Sequence, residues 1–326
     1  MSAEVAMTAQ PKPIQPWLSV ILPVYRGERW IERTLESLAV QADGGVEVVV
    51  IDSSPDRGTM KLVEKFALRL TLTILDPAGT DGCSPKMNLG VAHARAPYIS
   101  WLCQDDLWLP GRVAAVREWV REAPGAALHL APAAIIDRDG HMLGVWRCPL
   151  KAGPVDQAVL TEKLIVQNFV AAPSPVVRRD AWIECGGLDL DLWYTGDWDL
   201  WLKLGRHGTV VYHDEVTAAF RIHGESATST GSRDAADFVD QHRIVVDRHI
   251  AAIPSRRREP ARRLADASIA VNAALAAAAN GESAAIGRAL GAIAGLGPVG
   301  AARYLHRSRI IERAWPRLRA RWAGVL

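Results

Sequence analysis

The chain reads as an α/β protein, a mostly parallel sheet flanked by helices, with a helical extension at its C-terminal end. Two observations predict this. Val-rich runs of strand length alternate with amphipathic segments through the first hundred residues, and after Pro254 the composition turns to Ala and Arg. Behind a leader holding Pro11, Pro13 and Pro16, strands are expected at 17–24, 46–52, 71–75 and 98–103. Helices are expected between them at 27–41, 59–70 and 85–94, the first carrying Ile31, Leu35 and Leu38 on one face.

Beyond Pro124 the alternation loosens. Strands are expected at 127–136, 142–146, 174–178, 209–213 and 218–222, and helices at 197–206 and 233–250. An Ala-rich helical pattern follows through Asn280, with another segment at 301–322. The Arg256, Arg257, Arg258 triplet and Pro260 mark a boundary, giving a leader at 1–16, a main α/β body at 17–253 and an appended helical region at 254–326.

Charge is unevenly spread over the 326 residues. From Pro254 onward there are 13 Arg and no Lys against 4 acidic residues, a net +9, which leaves −7 for residues 1–253 of a chain whose total is +2. An acidic body with a basic end suits a peripheral contact with an anionic surface, phospholipid head groups or a glycan-lipid diphosphate; a solvated helix face is the plainer alternative. Nucleic acid is not among the expected partners. Cys83, Cys103, Cys148 and Cys185 have neither zinc-site spacing nor disulfide density, so reduced thiols in the cytoplasm are expected. The N-terminal residues lack a basic region leading into an apolar run, and the uncharged stretch 289–302 is shorter than the ~20 residues of a spanning helix.

In parallel sheets ligands gather at the C-terminal strand ends. There the sequence places Pro23, Val24 and Tyr25 after the first strand, Asp52, Ser53 and Ser54 after the second, and Gln104, Asp105 and Asp106 after the strand at 98–103. Adjacent carboxylates at a strand end repel one another, and a hard divalent cation with substrate phosphates in its shell relieves that repulsion. An ordinary surface turn is the alternative for the pair taken alone.

Several blocks in order resemble family 2 glycosyltransferases: 18–25, reading Leu-Ser-Val-Ile-Leu-Pro-Val-Tyr; 47–52, ending in Asp52; 87–90, Met-Asn-Leu-Gly; the Asp105–Asp106 pair; 186–189, Gly-Gly-Leu-Asp; 196–202, Gly-Asp-Trp-Asp-Leu-Trp-Leu; and 221–223, Arg-Ile-His. The resemblance spans about residues 17–225 and implies a GT-A fold, an inverting reaction, a nucleotide-sugar donor and a glycan or lipid-linked glycan acceptor in surface polysaccharide assembly. It implies that Pro23, Val24 and Tyr25 lie against the base, that Asp52 bonds base or ribose, and that Asp105 and Asp106 hold Mn²⁺ or Mg²⁺ and the ribose-diphosphate. Asp197 matches the catalytic base, and His223 a position that reaches metal or diphosphate. Cys103 stands where the metal motif has its first acid, and Ser53 replaces a second Asp, so Asp105 is the first choice as metal ligand with Asp106 next.

Each assignment has a structural alternative. Asp197 suits a helix N-terminus, Asp52 a turn, and His223 a packed imidazole. Lys86 is either a phosphate contact or an exposed helix lysine, and Trp193 and Trp198 either stack on sugar faces or belong to the core. Asp199 is read as structural. Two other functions compete: a sugar nucleotidyltransferase, which wants a Gly-rich basic loop after the first strand that is not found here, and a noncatalytic sugar-nucleotide-binding scaffold, which has no need to keep Asp105, Asp106 and Asp197.

Overall fold

The computed structural model describes residues 15–77, 80–224, 235–282 and 284–322. Most of the Pro-rich leader and the first turn of the helix expected from 233 lie outside the described residues. The main sheet has the strand order β3-β2-β1-β4-β10-β6-β11-β9. Here β1 is Leu18–Val24, β2 Val46–Asp52, β3 Thr71–Leu75, β4 Tyr98–Trp101, β6 Leu128–Leu130, β9 Gly153–Val155, β10 Val176–Arg178 and β11 Val210–Tyr212. The first four strands run parallel, joined by α1 (Ile31–Ala39), α2 (Gly58–Glu64) and α3 (Cys83–His93). β1 and β2 are buried along their whole length, which is why they read as unbroken apolar runs.

The other half of the sheet departs from the parallel expectation. β10 runs antiparallel between β4 and β6, and β9 closes the edge antiparallel to β11. The single strand expected at 127–136 is two strands in different sheets, because Pro132 follows β6 and cannot donate to a ladder. Its second part, β7 (Ala133–Ile136), joins a four-stranded sheet with β5 (Leu107–Trp108), β12 (Ala218–Arg221) and β8 (Met142–Trp146). The helix expected over 59–70 ends at Glu64, and turns lead into β3. Helices α4 (Arg112–Glu122), α5 (Gln157–Val166) and α6 (Arg179–Glu184) were not expected from the sequence. In α5 the signal was present: Asp156 caps the helix by accepting from the Val159 N–H at 2.9 Å.

α3 lies flush on the sheet because Gly90 has no side chain; a Cβ there would sit 2.4 Å from Ile21 and 2.7 Å from Ile51. α7 (Gly196–His207) and α8 (Ala235–His249) pack beside α5. Residues after Pro254 form α9 (Ser255–Ala279), α10 (Ala285–Ala294), α11 (Gly297–Ser308) and α12 (Ile310–Trp322). They pack into the body. Ala261, Ala265 and Ile269 share a core with Leu164 and Trp201, and Ala320 of α12 packs against Ile135 and Ile222 of the small sheet. Among the described residues no single helix is long and apolar enough to cross a membrane; the uncharged stretch is divided between α10 and α11, which bend by 113°.

Candidate active site

The C-terminal ends of β2, β1 and β4 lie side by side, with Val24 opposite Asp52 and Ile21 opposite Trp101. Gln104 bridges two of these ends: its Oε1 accepts from the Tyr25 N–H at 2.8 Å and its Nε2 donates to the Tyr25 carbonyl at 3.0 Å. Asp52 is buried, and its Oδ1 accepts from both the N–H and the hydroxyl of Ser54, a turn that the sequence reading held as an alternative. Ser54 in turn accepts from the Arg26 N–H at 2.7 Å, fixing the start of the loop after β1. Pro23 and Val24 are buried, so of that segment only Tyr25, 48% exposed, offers a side-chain face to a ligand.

Lys86 is neither exposed nor free to swing. It is 4% exposed, donates to the Val24 carbonyl at 2.7 Å and lies 5.5 Å from the Tyr25 ring centroid. It therefore ties the first turn of α3 to the exit of β1. Burial lowers its pKa.

Asp105, Asp106 and Cys103 bring ligand atoms within 4.8 Å of one another. His223, at the end of the segment after β12, meets Asp105 Oδ2 at 2.7 Å through Nε2. Asp106 is almost fully buried; its Oδ1 accepts from the Arg221 N–H at 2.9 Å, while Oδ2 is buried without a hydrogen-bond partner. Burial first, and Asp105 second, push its pKa well up. An orphaned carboxylate oxygen beside a second carboxylate fits a divalent cation. The Cys103 thiol is a poor ligand for one, since burial and then Asp106 raise its pKa and keep it protonated. A second grouping, Asp137, Asp139 and His141, closes the β7–β8 turn, where Asp137 Oδ1 accepts the N–H groups of Asp139 and His141.

Arg221 was read only as part of a motif, yet it organises this corner. Its Nε donates to the Asp105 carbonyl at 2.7 Å, its Nη1 to the carbonyls of Asp137 and Arg138, and its guanidinium stacks on Trp30. Thr34 adds hydrogen bonds to the carbonyls of Gln104 and Asp106. Both belong to elements distant in sequence, so no local pattern marked them.

Asp197 stands in the first turn of α7. Its Oδ1 accepts from the Trp198 N–H at 2.6 Å and its Oδ2 from Asn168 Nδ2 at 3.1 Å. Burial raises its pKa to about 6 despite those hydrogen bonds. Asp199, two residues on, is fully buried between Lys203, Arg248 and His249; burial would raise its pKa, but hydrogen bonds and charge from His249 and Lys203 hold it down to about 2. The two acids of one turn thus have opposite environments.

α3 links the two carboxylate groups. Asn88 donates to the Leu188 carbonyl and accepts its N–H; Gly187, at φ +64°, makes room, since a Cβ there would lie 2.6 Å from Asn88 Oδ1. Gly196 packs near Ser84, with its Cβ position 3.2 Å from Oγ. Between them the Cys83 thiol, pushed up to about 12 chiefly by burial, is opposed by Lys86 and raised further by both Asp197 and Asp105. Both carboxylates therefore act electrostatically on one group at the start of α3.

Asp197 lines a cavity of about 370 Å³ together with Trp193, Tyr194, Trp198 and Phe220 and with Arg313 and Arg317 of α12. Trp193 is 51% exposed, whereas Trp198 is buried and donates to the Leu164 carbonyl, so only the first keeps a free face.

On this sheet edge, with its paired carboxylates and buried helix-start acid, comparison with known proteins sets the class: the chain is a glycosyltransferase enzyme. Residues 19–153 match the model of the family described as Glycosyl transferase family 2, and the chain carries that domain. Over 232 residues, 69% of this chain and 70% of the relative, it is 23% identical to an uncharacterized glycosyltransferase of Rickettsia prowazekii. In structure it resembles S. aureus TarS 1–349 in complex with UDP-GlcNAc, with a TM-score of 0.63 and 18% identity over 77% of this chain and 72% of that one. It also resembles mannosyltransferase PcManGT of Pyrobaculum calidifontis in complex with GDP-Man and Mn²⁺, with a TM-score of 0.57 and 18% identity over 95% of this chain and 86% of that one. The fold is of the GT-A type.

Proposed function

We propose that the enzyme moves a sugar from a nucleoside diphosphate to an acceptor hydroxyl with inversion, Asp197 serving as base. The reading is supported by the buried carboxyl of Asp197, held by Asn168 and by the Trp198 N–H in the first turn of α7 and raised to about 6 by burial, together with the Asp105–Asp106 pair after β4, both acids acting electrostatically on Cys83 at the start of α3. A carboxylate of that basicity is ionised at neutral pH and takes a proton more readily than an ordinary Asp. Asn168 orients it through Oδ2. Tyr25, Asp52 and the main chain around Pro23 and Val24 receive the nucleoside, and Lys86 holds that segment against α3. Asp105 with Asp106, supported by Arg221 and His223, would hold Mn²⁺ or Mg²⁺. When bound, the cation supplies charge stabilisation for the departing diphosphate.

The acceptor enters from the cavity side, opposite the leaving group, as inversion requires. Its aromatic wall suits a glycan or a lipid-linked glycan, and we assign the enzyme to surface polysaccharide or glycolipid assembly at the cytoplasmic face of a membrane. A peripheral contact is supported by α12, which exposes Ile311, Trp315 and Leu318 at helical spacing beside Arg319 and Arg321. The donor is tested by measuring nucleotide release from a panel of UDP- and GDP-sugars with Mn²⁺, with Mg²⁺ and with chelator. Release that needs the cation is expected; no release from any donor, or release indifferent to chelator, contradicts the assignment.

A further inference from the structure

The following rests on the transferase reading above and concerns the chemistry of its acceptor. In the cavity that holds Asp197, α12 sets Arg313 and Arg317 one turn apart. Both are half-buried, and both stack on Trp146, at 5.2 and 5.8 Å from its centroid. Arg313 donates to the Asn168 carbonyl at 2.7 Å and reaches the Asn272 amide oxygen at 3.5 Å; Arg317 donates to the Arg313 carbonyl at 2.9 Å. All of these acceptors are neutral. Among the described residues neither guanidinium is paired with a carboxylate: Glu312 is bound to Arg309, and Glu162 to Arg257 and Arg307. The Arg313 Nε is buried without a partner.

Such an arrangement is unfavourable by itself. Desolvated cations are costly unless compensated, and like charges one turn apart repel. Burial, and then Arg317, lower the Arg313 pKa to about 10, and burial lowers that of Arg317. The two cations nevertheless line the same cavity as Asp197 and Tyr194. The donor diphosphate is provided for elsewhere, at the Asp105 and Asp106 pair.

We propose that Arg313 and Arg317 form a phosphoryl subsite for the acceptor, so that the substrate carries a phosphate ester close to the hydroxyl that receives the sugar. A carboxylate is satisfied by one guanidinium fork, whereas two adjacent forks match a phosphoryl group with three oxygens and up to two charges. Arg313 also links this subsite to the base, because the residue whose carbonyl it grips, Asn168, orients Asp197.

Calorimetric titration of the full chain with inorganic phosphate tests this, with the donor site first filled by UDP or GDP and Mn²⁺. Saturable phosphate binding is expected, weakened about tenfold or more in Arg317→Gln and in Arg313→Gln, weakened less in Arg317→Lys, which keeps the charge and loses the fork, and kept in the exposed control Arg303→Gln. Phosphate affinity unchanged in both Gln variants, no phosphate binding to a wild-type chain that does bind nucleotide, or acetate binding as tightly as phosphate would each overturn the subsite. Failure of UDP and GDP to bind the wild-type chain would instead overturn the transferase reading on which it rests.

Discussion

The proposed donor half and the proposed acceptor half of the site are built by different means. The donor half is a sheet edge: three neighbouring strands end together, and backbone register alone sets Asp52, Tyr25 and Gln104 beside one another. The acceptor half is a meeting of distant elements, in which Asn168 orients Asp197 on α7 and α12 closes the far wall. The proposed donor side is built from what a few local motifs specify, and the proposed acceptor side from side chains gathered from the whole chain.

If the halves are separable, they break separately. Asp197→Asn should lower transfer by about 10² to 10⁴ while leaving nucleotide affinity intact, because the amide keeps the shape and loses the base. Equal turnover in that variant would remove Asp197 from the chemistry. Asp105→Ala should act on the other half, weakening cation-dependent donor binding by roughly tenfold or more, as loss of a charged ligand does. A donor affinity that ignores the change would place the cation elsewhere.

The pH profile sharpens the comparison further. Burial raises Asp197 to about 6, so it is ionised above that value and protonated below it. Turnover should fall about tenfold per pH unit below roughly pH 6, and the descending limb should vanish from the residual activity of Asp197→Asn. A limb set by an unshifted carboxylate near pH 4 would contradict the buried geometry. The smallest effect is expected at Trp193, whose exposed face meets the cavity and whose Nε1 is held by Asp237 Oδ2 at 2.8 Å. Trp193→Ala should raise the acceptor KM a few-fold, about 1 kcal/mol, and leave the donor KM alone.

What the sequence made legible follows the same division. β2 was read at its observed bounds, and β1 to within a residue, since strands buried on both faces announce themselves as Val and Ile runs. Paired carboxylates at a later strand end marked the proposed cation region, whereas the helix-start position of Asp197 alone suggested a structural acid, and only the family resemblance suggested a base. The split of 127–136 at Pro132 was missed because a continuous apolar run hides a change of sheet. Lys86 was read as a surface lysine or a phosphate contact, although it is bonded to Val24; nothing in its neighbours forecasts a carbonyl 62 residues earlier in the chain. The helices after Pro254 were read as an appendage because their Ala and Arg content says nothing of the cavity that Arg313 and Arg317 line. Asp199 was read as structural with no partner named; its partners are Lys203, Arg248 and His249, the last two contributed by α8.

The anomeric configuration of the product, read by proton NMR during a single transfer from a donor of known configuration, tests most directly whether base and leaving group face each other across the sugar. Inversion is the outcome expected of a hydroxyl deprotonated by Asp197 and a diphosphate held at Asp105 and Asp106. A product that keeps the donor's configuration would contradict it.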